Sequence, residues 1–153
     1  MLDDIESIAI FKDVHFQDLS GLAPLCAREQ HGDGDLLILE NDREKFDLFI
    51  LRRGLVEVVS NSSSSVSGEV VLSRENKELF GEVSWLTKSK RTASVRCRGP
   101  VEVIRIDGHG LDRFMEANPR AGMAIMRQIA IFLSERLTGT DVLLKQILWN
   151  VRI

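Results

Sequence analysis

Twice along this chain the hydrophobic period changes, and that switch limits the folds open to it more than any other feature. Before residue 34 and after residue 107, apolar residues recur three and four apart; in between they fall into short runs cut by turn residues. Leu2, Ile5 and Ile8 share one helical face with Asp3 as a cap, and Leu19, Leu22, Leu25 and Cys26 make a second. Pro24 lies inside the second pattern and predicts a kink or an early stop. The runs 36–39, 48–51 and 55–59 are β-prone, separated by Glu40-Asn41-Asp42 and Arg52-Arg53-Gly54. A serine-rich stretch, 61–65, reads as a hairpin loop before the run 70–72. Ala93, Val95 and Cys97 alternate with Ser94, Arg96 and Arg98 as a half-buried strand, and Arg98-Gly99-Pro100 is expected to break it before 101–106.

Helical spacing then returns in Leu111, Phe114 and Met115, and Asn118-Pro119 closes that helix and opens another. Ile125, Ile129, Phe132, Leu133 and Leu137 line the helix over 120–137, with Gly139 as its expected stop. Leu144, Ile147, Leu148 and Val151, with Trp149 beside them, predict a separate helix over 140–153. The expectation is a single α+β domain. N-terminal helices occupy 3–30, an antiparallel β-roll or jelly-roll barrel of about eight strands occupies 34–107, and C-terminal helices occupy 110–153.

A chain of 153 residues can bury a sizeable core. A net charge of −3 disfavours a broad phosphate-coating surface but not one anionic ligand held locally. Cys26 and Cys97 lack metal-ligand spacing and read as reduced core thiols. His15, His31 and His109 are scattered, with no acid or nucleophile at catalytic spacing, so neither an enzyme nor a cofactor is expected. His31-Gly32-Asp33-Gly34-Asp35 reads as a solvated turn, since it lacks the calcium-loop pattern. No basic leader or long apolar run is seen, which predicts no membrane segment and a cytoplasmic location.

The chemistry concentrates in Leu79-Phe80-Gly81-Glu82-Val83-Ser84-Trp85-Leu86 and, shortly after, Arg91-Thr92-Ala93-Ser94-Val95. A glycine lets the backbone of a helix start approach a phosphate, and an arginine adds a forked, charged contact. Glu82, acceptor-only when ionised, suits a sugar hydroxyl and would repel the phosphate. Without a ligand, Glu82 and Arg91 can pair with each other. Lys88, Lys90, Arg91, Arg96 and Arg98 form a basic run, partly explained by this phosphate site and otherwise read as a solvated strand face.

This run resembles the phosphate-binding cassette of cyclic nucleotide-binding domains. The resemblance extends to the spacing from Gly34 through Phe49-Ile50-Leu51 to Gly54, to Asn118-Pro119, and to Ser134-Glu135-Arg136-Leu137. It implies a regulatory domain that binds cAMP or cGMP, with Glu82 on the ribose 2′-hydroxyl and Arg91 on the cyclic phosphate. Thr92 would lend a hydroxyl that tolerates guanine, and Gly81, Val83, Ser84 and Ala93 would complete the cassette. Val71, with Leu72, and Leu133, or Leu137, are the expected walls around the base. Ser84-Trp85 stands where Ala-Leu is commoner, and Glu40-Asn41-Asp42 where the family has a glycine turn. No helix-turn-helix follows, so direct DNA binding is not expected. The apolar tail predicts a homodimer or protein partner through the C-terminal helices. Two rival readings stand beside this one: an interaction module of the same fold that binds no nucleotide, and a regulatory fragment of a larger transcription regulator, kinase or channel.

Overall fold

The computed structural model describes residues 2–59, 70–73 and 78–152, with side chains over 3–59 and 79–139. The short helix α1 (Leu2–Glu6) is followed by a 3₁₀ turn (Ala9–Phe11) and by α2 (Phe16–Leu22). Pro24 does shorten α2: it sits at the start of a 3₁₀ turn, Ala23–Leu25, that delivers the chain into a strand. Then come β1 (Cys26–His31), β2 (Leu36–Ile38), β3 (Leu48–Val59), β4 (Val70–Ser73) and β5 (Glu78–Phe80). After them run α3 (Glu82–Thr87), β6 (Ser94–Ile106), α4 (Gly108–Ala117) and α5 (Pro119–Arg152).

The six strands described form one antiparallel sheet in the order β1-β6-β3-β4, with β2 also on β6 and β5 also on β3. The fold is therefore α+β with an antiparallel roll, as expected, but its strands differ in three ways. Residues 26–31 are a strand and not the end of a helix. Residues 48–59 form one strand, and so do residues 94–106. The turn residues inside these two long strands bend them without ending them. Gly54 has φ +100° and Gly99 has φ +73°, and the β3–β6 register shifts between Leu51 and Leu55. A Cβ on Gly54 would lie 2.4 Å from the Pro100 carbonyl oxygen, so β3 passes β6 there too closely for a side chain.

Each long strand has two buried faces. Leu48 and Ile50, with Ile104 and Ile106, join a core against the helices that includes Ile5, Phe11, Leu22, Leu111 and Ile125. Phe49 and Leu51, with Val101 and Val103, point into the roll with Leu37, Ile38, Val56, Phe80 and Val95. Double burial is why 48–51 reads as a continuous apolar run without alternation.

The C-terminus departs from expectation as well. Residues 119–152 are one helix, and Gly139 lies within it at a helical backbone conformation instead of stopping it. An interior glycine weakens a helix by only about 1 kcal/mol, less than its neighbours recover when no proline follows. The side chains of Leu144, Ile147, Leu148, Trp149 and Val151 lie outside the described ones, as does the serine-rich loop. Among the described residues no helix is long and apolar enough to cross a membrane.

Candidate functional site: a pocket between the cassette and the long helix

Gly81 joins β5 to α3 with φ +85°, a conformation that favours glycine. A Cβ there would come within 2.9 Å of the Asp47 carbonyl oxygen and 3.2 Å of Arg91 Nη1. Only a bare backbone fits. Helix α3 then buries Glu82, Ser84 and Trp85 and leaves Val83 half exposed. The Trp85 indole N–H donates to the Gly108 carbonyl at 3.0 Å, which ties the cassette to the start of α4. Space at that junction is equally tight, since a Cβ on Gly108 would lie 2.1 Å from the Phe46 carbonyl oxygen. The Ser84 hydroxyl donates to the Lys90 carbonyl at 3.4 Å and spans the loop that leads to Arg91.

Arg91 is 4% exposed and is built in at both its backbone and its side chain. Its N–H donates to the Asp42 carbonyl at 2.8 Å, and its carbonyl accepts from Asn41 N–H at 2.8 Å. Asn41 has φ 71°, a left-handed position that asparagine tolerates better than most residues, so it serves where the family's turn has glycine. The guanidinium donates through Nε to the Lys45 carbonyl at 3.1 Å, through Nη1 to Gly81 at 2.8 Å and through Nη2 to Asp47 at 2.7 Å. Burial lowers its pKa, against the opposing charges of Asp47, Asp42 and Glu82. An arginine so held stays cationic and keeps one orientation.

Glu82 is 1% exposed. Its Oε1 accepts a hydrogen bond from Arg136 Nη1 of α5 at 2.9 Å. The pair that closes the pocket thus comes from the long helix, while the Arg91 guanidinium is engaged by backbone carbonyls. The Arg136 guanidinium also lies over the Phe132 ring, 4.8 Å from its centre.

These groups surround a cleft enclosing about 550 Å³ of empty space, its open mouth included. Gly81, Glu82, Val83, Ser84, Arg91, Thr92 and Ala93 all line it, so the contiguous run is also a spatial cluster. Ile38, Val58, Phe80 and Val95 supply an apolar wall, and Arg136 supplies a second cation. Two expected wall residues stand elsewhere. Leu133 packs against the helix-side core and does not line the cleft, and Leu137 is 68% exposed. Val71 pairs with Glu57 and Leu72 with Val56 in the β4–β3 ladder, and their side chains lie outside the described ones. The sequence reading marked Arg136 only within the Ser134-Glu135-Arg136-Leu137 motif and gave it no place at the site, although it follows Phe132 by four residues on a helical face.

The basic run is largely spent inside the molecule. Arg96 and Arg98 hold the buried Glu57 at 2.7 and 2.8 Å, so they are not merely solvated, and Lys88 pairs with Asp112 at 2.5 Å. The turn from His31 to Asp35 caps itself and the bend of β6: Asp35 accepts from Gly32 N–H and Asp33 from Gly99 N–H. Burial pushes the thiols of Cys26 and Cys97 up to about 11, which suits inert core positions. Among the described residues no group of acidic, histidine and cysteine side chains could hold a metal ion.

Similar architectures are known. A cyclic nucleotide-binding domain from Methylobacillus flagellatus KT matches with a TM-score of 0.77 at 17% identity, over 95% of this chain and 85% of that one. The catabolite activator protein of Thermus thermophilus matches with a TM-score of 0.69 at 19% identity, over 91% of this chain and 62% of its own. The regulatory domain of Toxoplasma gondii PKA, solved with cAMP, matches with a TM-score of 0.68 at 17% identity, over 88% of this chain and 48% of its own. These likenesses establish the fold. The sequence pattern of the cyclic nucleotide-binding domain matches residues 28–118, more than half of the chain. With the cleft and the roll in place, this chain belongs to the cyclic nucleotide-binding domain family.

Proposed function

We propose that the chain is a cytoplasmic sensor, not an enzyme, that binds cAMP or cGMP in the Gly81–Arg91 cleft and repositions α5 on binding. The supporting observation is the convergence of a buried carboxylate, Glu82, and a fixed buried cation, Arg91, on one cleft with an apolar wall. Arg91 meets the cyclic phosphate and Glu82 accepts from the ribose 2′-hydroxyl. Gly81, Val83 and Ser84 offer backbone at the phosphate, Thr92 and Ala93 line its far side, and the purine rests against Ile38, Val58 and Val95. Ligand binding shifts the population of α5 poses, because α5 reaches this cleft directly through Arg136. The output is read by a second copy, a protein partner or a further domain. Exposed Met123 and Leu137 on α5 favour such a partner.

Calorimetric titration with cAMP and with cGMP tests the reading. Wild type should bind at least one of them, and Glu82→Ala should weaken that binding by about 1.5–3 kcal/mol, the range for a hydrogen bond to a charged group. No heat at millimolar nucleotide would leave only the rival interaction module.

A further inference from the structure

We infer that the domain carries a second ligand site, for a small aromatic molecule of no net charge with an N–H or O–H donor, in the cleft between the 3₁₀ turn Ala9–Phe11 and α5. This cleft encloses about 590 Å³ of empty space, its open mouth included, within the usual range of small-molecule sites. No residue lines both it and the nucleotide cleft, and the inference does not rest on the nucleotide reading. Its floor is apolar. Ile10 of the turn and Ile50 and Leu79 of the sheet are buried, and Phe132 of α5 closes the side. A flat body fits between a sheet face and a helix, and Phe132 gives an aromatic one a ring to pack on.

One polar group stands in this floor. Gln128 is 9% exposed, and its Nε2 donates to Asp13 Oδ2. Asp13 does not line the cleft, so the amide nitrogen is turned to a partner outside it. Oε1 lies on the other arm of the amide and has no hydrogen-bond partner among the described residues. A buried carbonyl without a donor is costly, and a ligand N–H or O–H removes that cost. The mouth decides the charge. Lys12 and Glu135, both exposed, flank it from the turn and from the helix. An anion loses at Glu135 what it gains at Lys12, and a cation the reverse. A molecule of no net charge is favoured, in contrast to the nucleotide cleft with its fixed arginine. Such an occupant touches the turn and α5 at once. Ile10 and Phe11 already share a core with Ile125 and Ile129 of α5, so the ligand adds to the docking of that helix.

Amide NMR titrations of the full chain with indole and with 1-methylindole test the site. Indole should shift the amides of 9–12 and 128–135, with a dissociation constant of about 1 mM or tighter for a molecule of its size. In 1-methylindole a methyl group replaces the donor and the apolar body grows, so simple partition into a greasy cleft would tighten it. We expect it instead to bind about fivefold more weakly, the loss of one neutral hydrogen bond. Gln128→Met should bring the two compounds within about twofold of each other. Ile131→Trp, at a lining position that is 44% exposed, should fill the mouth and abolish indole binding while leaving the thermal unfolding close to wild type. The site is overturned if indole shifts nothing at about 10 mM, if the shifted amides lie at 81–93, or if 1-methylindole binds as tightly as indole. Unchanged indole binding by Ile131→Trp overturns it as well. Should Gln128→Met not fold, the two compounds compared on wild type still decide.

Discussion

Arg91 and Arg136 line the same cleft but are held by opposite kinds of structure. Arg91 follows a tight loop, is 4% exposed and gives its side-chain N–H groups to three backbone carbonyls. Arg136 rises from an exposed turn of α5 and holds a carboxylate that is itself buried. One cation is part of the framework; the other is part of a joint. The contrast teaches that one cleft can carry a cation fixed by its own loop and a cation that joins it to another element. The difference follows from what each guanidinium bonds: Arg91 bonds backbone carbonyls of the fold, whereas Arg136 bonds a side chain on another element.

That contrast fails most visibly if Arg91 proves dispensable to the fold. Arg91→Ala should abolish nucleotide binding and also lower the unfolding free energy by about 3 kcal/mol, because three carbonyls lose their donor at about 1 kcal/mol or more each. Arg136→Ala should lower it by less, about 1–2 kcal/mol, because the buried Glu82 carboxylate loses one donor. Urea denaturation of both variants measures the difference, and equal losses would erase the distinction between framework and joint. Gly81→Ala should come next. Forcing a Cβ into the left-handed region costs about 1–2 kcal/mol, and the new atom would press on the Asp47 carbonyl and on Arg91. Nucleotide affinity should fall together with stability in that variant, whereas a variant that folds normally and only binds less would place the strain in the ligand contact.

A smaller effect concerns acid. Burial alone would raise the Glu29 carboxyl, but Arg105 and His31 bond to it and hold it below the usual glutamate range. Arg105 also bonds Asp47, whose carbonyl supports Arg91. A carboxyl depressed in the folded state stabilises fully above its unfolded pKa, and that contribution fades as pH falls through the folded one. Glu29→Gln should therefore flatten the loss of stability below the ordinary glutamate range while leaving the neutral-to-alkaline limb parallel to wild type. Thermal melts across acid pH read this directly, and an unchanged acid limb would remove Glu29 from the support of Arg91. The smallest effect expected is at Thr92, which is exposed at the cleft. Thr92→Ala should weaken cGMP by about 0.5–1.5 kcal/mol, a neutral hydrogen bond, and cAMP by less. Equal losses would assign the hydroxyl to the phosphate.

Legibility in the sequence follows locality. Gly81, Glu82 and Arg91 are close in the chain and chemically distinctive, so their clustering around one cleft is readable from the run itself. The strand 26–31 is not, because only Cys26 among its residues is buried and the rest offer no apolar alternation. It lies at one end of the sheet and is held there by pairing with β6, a partner more than sixty residues away. Gly54 and Gly99 are legible as turn residues, yet only the continued pairing of β3 with β6 on either side of them makes each a bend within a strand instead of an end.

By itself, then, the sequence determined the alternation of helical and strand segments and the local chemistry of Gly81, Glu82 and Arg91. These depend on side-chain period and on neighbours within one or two turns. Tertiary structure alone decided that Glu82 meets Arg136, 54 residues further on, and that Leu133 turns to the core. It also decided that α5 runs unbroken through Gly139. Each of these turns on which face of a helix is covered once the sheet has bent, and covering a face is a property of two elements packed together, which no single stretch of sequence carries.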